Sequence, residues 1–412
     1  LWNWEKHIAM ARRLATAALE INPDLLIYCN GVDYEAQNDI GNYLEFECLP
    51  TGGWGYESLP MGARYLRTLG KPVLNMTGRF HKSWGDFGGI RTEASLEYDC
   101  LYGMANAMRT NIGDHFHPRG DINWPVFDMY KRIYDRLRRF EPWLDGARAV
   151  TEAAIVWPTP YPGYKFRAPA QSERFQKFWN AIRGACRMLC ELKWQFDIVT
   201  LFSDWSKYRL LLLPDFLELE GEMAERVRAH LQAGGVVLST GWSGLDPQRQ
   251  DFVFPEQWGI RYAGDDPYDP AYFRPAPEVA EGLPDMPITF YQRGAAIEPL
   301  EGTRVLAEII APYYNRHWDG EHGFVYLPPD RPTGRAAATI NGQVAHIANP
   351  ACSAYYLDGQ IPMRQFVANI LRLLLPNPMV LAPGLPSFAR ATVTEQSGRR
   401  MVHLLAYVPE RR

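Results

Sequence analysis

Short apolar segments alternate with helical segments along most of this sequence, and this alternation restricts the fold more than any other feature. In the first part of the chain, strands are predicted at 25–29, 43–48, 72–77 and 109–113, and helices at 4–20, 58–69, 92–108 and 125–143. Strand and helix in alternation are typical of parallel βα units. A complete (β/α)8 barrel needs about 250 residues. Because only these strands fit before residue 140, we expect the C-terminal half of a TIM barrel.

A second βα series follows a predicted boundary at Gly146. Its strands are predicted at 153–157, 196–200, 210–213, 236–240 and 344–347, and its helices at 173–193, 221–232 and 363–374. This series predicts a flavodoxin-like α/β domain, similar to class I glutamine amidotransferases, with 251–340 as long excursions rich in Pro, Gly and Tyr. Strict alternation from Ser387, with a turn at Ser397-Gly398, predicts a hairpin.

The predicted fold class is therefore α/β with three parts. Residues 1–146 form a partial barrel of catalytic type, 147–380 form the flavodoxin-like domain, and 381–412 begin a small β-domain.

Composition excludes several classes of function. The formal net charge is −4, from 43 basic and 47 acidic residues, so nothing favours nucleic acid or an anionic membrane as a partner. The chain contains 13 Trp and 22 Tyr, which suits a protein that stacks rings against sugars, although aromatic residues also fill cores. The six cysteines form no CxxC pair, which indicates reduced core residues. We expect a cytoplasmic protein, with an export signal upstream of Leu1 left open.

The first candidate site is the segment NYLEFECLPTGGWGY at 42–56. In a strand over 43–48, Glu45 and Glu47 share one face while Leu44, Phe46 and Cys48 share the other. Two carboxylates at the end of a barrel strand suit glycoside hydrolysis, which needs one protonated and one ionised carboxyl group. Glu47 lies nearest the mouth and is the candidate acid/base or sugar-binding group. The alternative is an edge strand with solvated or Arg-paired glutamates.

Three loops at strand ends carry the candidate substrate-binding residues. The first loop supplies Trp54 and Tyr56, the second supplies Arg79, His81, Trp84 and Asp86, and the third supplies Asp114, His115, His117, Arg119 and Asp121. Aromatic rings could stack on a sugar, and the polar groups could bond its hydroxyls. The HxH pair of His115 and His117 also permits a metal-dependent hydrolase, with His81 and Asp86 or Asp114 as further ligands.

The second domain offers little chemistry. An amidase would need a nucleophile elbow after the VVLST strand, but VLSTGWSG contains no G-x-S-x-G motif and no cysteine, despite Ser239 and Ser243. We expect this domain to be structural or oligomer-forming.

Several motifs resemble a known family. The runs FECLPTGGWGY, KPVLNMTGRFHKSWGDFGG and GDHFHPRG, followed by a helix ending in EPW, resemble the barrel of bacterial glycosyl hydrolases related to α-L-fucosidases. The FDIVT and LLLLPD strands are similar to those of the trimerisation domain in family-42-type β-galactosidases. The final hairpin is similar to the start of the small β-domain that follows.

The resemblance implies a retaining exo-glycosidase, foremost an α-L-fucosidase or else a β-galactosidase, acting on terminal sugars without a cofactor or metal. It also implies a homo-oligomer, a trimer. In these relatives a carboxylate precedes a WGY motif, which Glu45 or Glu47 could match, whereas the nucleophile is expected on an earlier strand. We therefore expect the chain alone to be inactive. A non-catalytic carbohydrate-binding or assembly protein remains an alternative.

Overall fold

The computed structural model describes residues 2–157, 173–315, 320–321 and 327–409. Its elements form a mixed α/β fold built around one large sheet and three smaller ones. Within the described residues, no helix is both long and apolar enough to cross a membrane.

A three-stranded parallel sheet organises the first part of the chain. Its order is β1-β2-β3, with helices on one face. The elements here are α1 (Trp2–Ile21), α2 (Tyr34–Gln37), β1 (Leu44–Cys48), α3 (Ser58–Leu66), β2 (Val73–Gly78), α4 (Glu93–Ala105), β3 (Arg109–Gly113), α5 (Trp124–Leu137) and α6 (Glu141–Leu144). Each predicted helix and three of the four predicted strands are present.

The strand predicted at 25–29 is wrong. Leu26 is 78% exposed, and the segment has no strand hydrogen bonds. The amide of Ile27 donates to Oδ1 of Asn42 (2.8 Å), and the amide of Cys29 donates to Oε1 of Gln37 (3.2 Å). Polar side chains take the backbone groups that a sheet neighbour would otherwise bind, so local hydrogen bonds override the apolar run.

The large sheet has nine strands in the order β11-β10-β13-β14-β15-β8-β7-β5-β6. The part β6-β5-β7-β8-β15 is parallel throughout. When these five strands are numbered 1 to 5 along the chain, their order in the sheet is 2-1-3-4-5, which is the order of flavodoxin-like sheets. Its elements are β5 (Ala153–Val156), α7 (Glu173–Glu191), β6 (Phe196–Val199), β7 (Leu210–Leu213), α8 (Gly221–Gln232), β8 (Val236–Thr240), β15 (Val344–Ile347), α10 (Ala351–Asp358) and α11 (Ile361–Leu374).

The prediction that 251–340 are long excursions is wrong, because the described part of this region contains six strands. They are β9 (Ile260–Asp265), β10 (Ala271–Pro275), β11 (Ile288–Phe290), β12 (Ala295–Pro299), β13 (Arg304–Pro312) and β14 (Pro329–Asn341), preceded by the short helix α9 (Pro255–Trp258). Four of them extend the large sheet, while β12 pairs with β9. The pairing of β13 with β14 contains several register shifts. Such bulges interrupt the period of two by which strands are recognised in a sequence.

The predicted hairpin is present as β16 (Ala389–Gln396) and β17 (Arg399–Ala406), and the short β4 (Arg148–Ala149) adds a third strand. The hairpin packs against the first sheet's helices, since Thr392 donates a hydrogen bond to the carbonyl of Ala105 (3.0 Å). One apolar cluster includes Leu44 of β1, Cys186 of α7 and Leu212 of β7. The three-stranded sheet and the large sheet therefore share a core. All six cysteines are free thiols, and five of them are buried.

Candidate active site

The two glutamates of β1 lie on the face of the three-stranded sheet that is turned away from α3. Leu44 and Cys48 are fully buried, and Phe46 lies so close to Gly62 of α3 that a Cβ atom there would be 2.4 Å from the ring. The period of two therefore places Glu45 and Glu47 on the opposite face. Both side chains are half-buried.

The register of the sheet defines the neighbours of each glutamate. Glu47 lies beside Met76, which lies beside Asn111, and Glu45 lies one layer deeper beside Leu74. Two residues along a strand are about 6.6 Å apart, so the carboxylates are close but not superimposed. Because the strands are parallel, the Glu47 layer is nearer to the carboxyl end of the sheet, where barrel enzymes have their sites.

The environment favours a proton on Glu45. Burial raises the pKa of Glu45, and the negative charge of Glu47 raises it further. No arginine or lysine in the described ranges forms an ion pair with either glutamate, so the alternative of Arg-paired glutamates receives no support from the geometry. Two carboxyl groups on one face, one of which has a raised pKa, suit general acid/base chemistry.

Trp84 covers the next layer of the same face. Gly78 and Gly113 end β2 and β3, and a Cβ atom on either residue would lie 2.8 Å from the Trp84 ring. The ring of His115 stacks on the indole, with 5.9 Å between centroids and 24° between planes. The indole Nε1 is buried and has no hydrogen-bond partner among the described atoms. The two glycines thus allow Trp84 to close the face above Met76.

A cavity of about 260 Å³ lies between the second and third loops, and we call it the Phe116 cavity. It is lined by Arg79, Phe87, Asp114, His115, Phe116, His117, Asp121, Ile122, Asn123 and Phe127. Arg79 and Asp114 form an ion pair at its base (Nε to Oδ1, 3.2 Å), and Tyr130 donates to the other carboxylate oxygen of Asp114 (2.9 Å). Five predicted site residues therefore meet in one cavity: Arg79, Asp114, His115, His117 and Asp121.

A second cavity, of about 420 Å³, lies between the first loop, the second loop and the start of α4. Tyr56 and His81 line it together with Tyr407, which follows β17. The hydroxyl groups of Tyr56 and Ser95 are 2.9 Å apart, and burial raises the pKa of Tyr56 to about 12. Tyr56 is thus a neutral hydroxyl at neutral pH.

The remaining predicted residues are separate from both cavities. Trp54 is 37% exposed. Asp86 accepts hydrogen bonds from the amides of Lys82 (3.1 Å) and Gly89 (3.0 Å), so its carboxylate holds its own loop. Arg119 is exposed and pairs with Asp121 (2.6 Å). For all of these residues, a role in substrate binding stays a prediction.

The metal alternative depends on ligands that converge. In the part of the chain that the structure describes, no group of three or more His, Cys, Asp or Glu side chains could hold a metal ion. His115 stacks on Trp84, while Nδ1 of His117 accepts a hydrogen bond from the amide of Arg119 (3.2 Å). The two histidines therefore have different surroundings despite their spacing.

Sequence reasoning missed Asn111 and the apolar lining of the Phe116 cavity. Asn111 lies in the Glu47 layer, and the alternation of RTNIG in β3 could have placed it on that face. The sequence did not indicate the apolar lining, because single apolar residues in loops are common on protein surfaces. This lining consists of Phe87, Phe116, Ile122 and Phe127.

The chain is similar to known glycosidases in sequence and in fold. Residues 168–258 match the family described as the β-galactosidase trimerisation domain. No curated protein matches the chain in sequence. Among solved structures, the α-L-fucosidase isoenzyme 2 from Paenibacillus thiaminolyticus is 29% identical with a TM-score of 0.86, and the alignment covers 98% of this chain and 61% of the fucosidase.

Two β-galactosidases share the fold. The cold-adapted enzyme from Rahnella sp. R3 is 17% identical (TM-score 0.71, 98% of this chain and 62% of that enzyme). The enzyme from Bacillus circulans sp. alkalophilus is 15% identical (TM-score 0.68, 93% and 58%). The chain thus spans less than two thirds of each of these proteins.

The fold and the comparisons define a glycosyl-hydrolase-like α/β protein. Its relatives are an α-L-fucosidase and family-42 β-galactosidases, so the predicted relationship to these enzymes is confirmed.

Proposed function

We propose that the chain is part of a retaining exo-glycosidase that removes terminal sugars, and that it acts as an α-L-fucosidase. The observation that carries this proposal is the pair Glu45 and Glu47, which share one sheet face near its carboxyl end without a cation partner in the described residues. Glu47 lies nearer the mouth and acts at the glycosidic bond. Glu45 lies deeper, and its carboxyl group is the more readily protonated because burial and the charge of Glu47 raise its pKa.

A β-galactosidase is the second candidate, because residues 168–258 match a domain described from β-galactosidases. The identity of 29% to a fucosidase supports the first candidate, and the family match supports the second. The carboxylate chemistry is the same for both. Only the sugar differs, so one substrate panel separates them.

The domain layout is part of the proposal. We place the three-stranded sheet in a (β/α)8 barrel, the parallel part of the large sheet in a trimerisation domain, and the terminal hairpin in a small β-domain. The strand order 2-1-3-4-5 and the match over 168–258 support the second assignment. Light scattering on the complete gene product tests the trimer. A monomer at micromolar concentration would contradict it.

The activity test uses nitrophenyl α-L-fucoside and β-D-galactoside with this chain and with the complete gene product. We expect hydrolysis of one glycoside, and a fall in kcat of about a hundredfold or more in Glu47→Gln, because one acid/base group contributes that much. Glu20→Gln is the matched control, since Glu20 is exposed on α1 and far along the chain from β1. The proposal fails if neither glycoside is cleaved, or if Glu47→Gln and Glu20→Gln behave alike.

A further inference from the structure

The Phe116 cavity adjoins the glutamate face but is separate from it. His115 belongs to the cavity lining, and its ring stacks on Trp84, which covers Gly78 and Gly113 above the Glu47 layer. Trp84 and His115 therefore form a wall between the two spaces. A ligand moiety in the cavity would therefore lie next to the moiety that is bound beside Glu47, and the two moieties would be different parts of the ligand.

The charged groups of the cavity are bound to each other. Arg79 pairs with Asp114 and also donates to the carbonyl of Phe87 (2.8 Å), while Asp121 pairs with Arg119 (2.6 Å). Among the described residues of the lining, the Arg and Asp side chains are already paired, so a charged ligand would have to compete for them, and burying an unpaired charge is costly. The cavity therefore suits a neutral ligand.

The remaining polar groups can bind hydroxyls. Nδ1 of His117 accepts a hydrogen bond from the amide of Arg119 (3.2 Å), so in the neutral imidazole the proton is on Nε2, which is available as a donor. The side chain of Asn123 has no partner in the described part of the molecule and caps no helix amide, so it offers both a donor and an acceptor.

The walls of the cavity are apolar and exposed. Phe116 is 67% exposed, Phe87 is 43% exposed and Ile122 is 40% exposed. Large apolar side chains that are grouped around a concave site commonly mark a binding surface. Apolar walls together with side chains that can form hydrogen bonds fit a ring that has one apolar face.

We infer that the Phe116 cavity binds the leaving group of the substrate, and that this group is a neutral ring with an apolar face. A sugar ring of a glycan and an aryl group share this chemistry. This inference rests on the proposed glycosidase function, because only then does a leaving group depart from beside Glu47. Phe116 is the residue that determines the preference for a ring.

Kinetics with different leaving groups test the inference in the complete gene product. We expect Phe116→Ala to lower kcat/KM roughly tenfold for an aryl glycoside or a disaccharide, as expected for one lost apolar contact, and to leave the glycosyl fluoride unchanged. Trp124→Ala is the matched control, because Trp124 is 65% exposed nearby but does not line the cavity. A loss confined to the aryl glycoside identifies an aryl group, and a loss confined to the disaccharide identifies a sugar. An equal loss on the fluoride, or no loss on either ring substrate, overturns the inference.

A binding measurement separates this inference from the proposed function. Saturation-transfer NMR with phenol and with methyl β-galactoside should give a signal in the wild type and in Trp124→Ala that is lost in Phe116→Ala. If this signal appears but no glycoside is cleaved, the proposed function fails and the cavity still binds a neutral ring. If glycosides are cleaved but no Phe116-dependent signal appears, the function stands and the inference fails.

Discussion

Nε of Arg67 donates a hydrogen bond to Oδ1 of Asp197 across 2.6 Å, and this contact joins the three-stranded sheet to the large sheet. Arg67 follows α3, whereas Asp197 lies in the edge strand β6. The other carboxylate oxygen of Asp197 accepts hydrogen bonds from Lys207 (3.0 Å), Tyr208 (2.8 Å) and Thr151 (2.8 Å). Asp197 is therefore a buried carboxylate that accepts hydrogen bonds from Arg67, beside the three-stranded sheet, and from residues next to strands of the large sheet.

Asp197→Asn should destabilise the protein. The side chain of Asp197 is 1% exposed and that of Arg67 is 12% exposed, so the variant leaves a largely buried guanidinium without its countercharge. We expect the free energy of unfolding in urea to fall by about 3 kcal/mol. Asp145→Asn is the matched control, because it removes the exposed ion pair with Arg109, with an expected change below about 1 kcal/mol. Equal losses in the two variants would contradict this interpretation.

The same carboxylate predicts a dependence of stability on pH. Burial raises the pKa of Asp197, but Arg67 and Lys207 outweigh burial and hold the pKa at about 2. A depressed pKa means that the folded state binds fewer protons than the unfolded chain, so the stabilisation is present above the ordinary value of 3.8 and is lost as the pH falls through 2. Wild-type stability should therefore fall more steeply on acidification than that of Asp197→Asn. If the stabilities of the two proteins fell in parallel as the pH is lowered, Asp197 would not be the source of this pH dependence.

Local patterns explain what the sequence could predict. The alternation in 43–48 predicts that Glu45 and Glu47 share a face, and β1 has this arrangement because a strand's period is a local property. The parallel strands of the large sheet were recognisable for a similar reason, as buried apolar runs such as Leu210–Leu213.

Partnerships between distant side chains were not predictable. Nothing in the sequence shows that Arg79 pairs with Asp114, or that Asp86 binds the amides of its own loop, because each contact depends on how the loops pack. The missed strands β13 and β14 have the same explanation. The pairing of β13 with β14 tolerates register shifts because the flanking strands of the folded sheet hold both strands in place.

Gly113→Ala should displace Trp84. A Cβ atom at Gly113 would lie 2.8 Å from the indole, which is closer than a real contact allows, so the ring has to move. We expect a change in tryptophan fluorescence and a loss of kcat/KM of roughly tenfold or more, because small displacements at a site reduce catalysis strongly. Gly88→Ala is the control on the loop that carries Trp84, since a Cβ atom there meets nothing within 4 Å. Unchanged fluorescence in Gly113→Ala would contradict the position of Trp84.

Glu47→Gln should lower the pKa of Glu45. Burial and the charge of Glu47 both raise the pKa of Glu45, and the variant removes the second cause only. The shift can be followed by NMR titration of the Glu45 carboxyl carbon. Because the pKa of Glu45 is raised in the folded state, Glu45 stabilises the fold at low pH, and this stabilisation is lost as the pH rises through the raised pKa. The variant lowers that pKa, so the cost of ionising Glu45 at neutral pH should be smaller in Glu47→Gln than in the wild type. If the Glu45 titration is the same in Glu47→Gln and in Glu20→Gln, the two carboxylates do not interact.

Cys190 should be a thiolate in the folded protein. It lies one helical turn from Cys186 in α7, beside the buried Arg64, which has no carboxylate partner in the described ranges. The hydrogen bond with Cys186, assisted by the charges of Arg64 and Arg390, lowers the pKa of Cys190. At Cys190 the folded state therefore binds fewer protons than the unfolded chain, and the resulting stabilisation is lost as the pH falls through the lowered pKa.

The ultraviolet absorbance of the thiolate measures this directly in the native protein. The band should be present at neutral pH, disappear on acidification, and be absent in Cys190→Ser. Cys100→Ser is the matched control, because burial raises the pKa of the Cys100 thiol to about 12 and it contributes no band at neutral pH. A band that persists in Cys190→Ser, or one that Cys100→Ser removes, would assign the thiolate elsewhere and leave Arg64 without its countercharge.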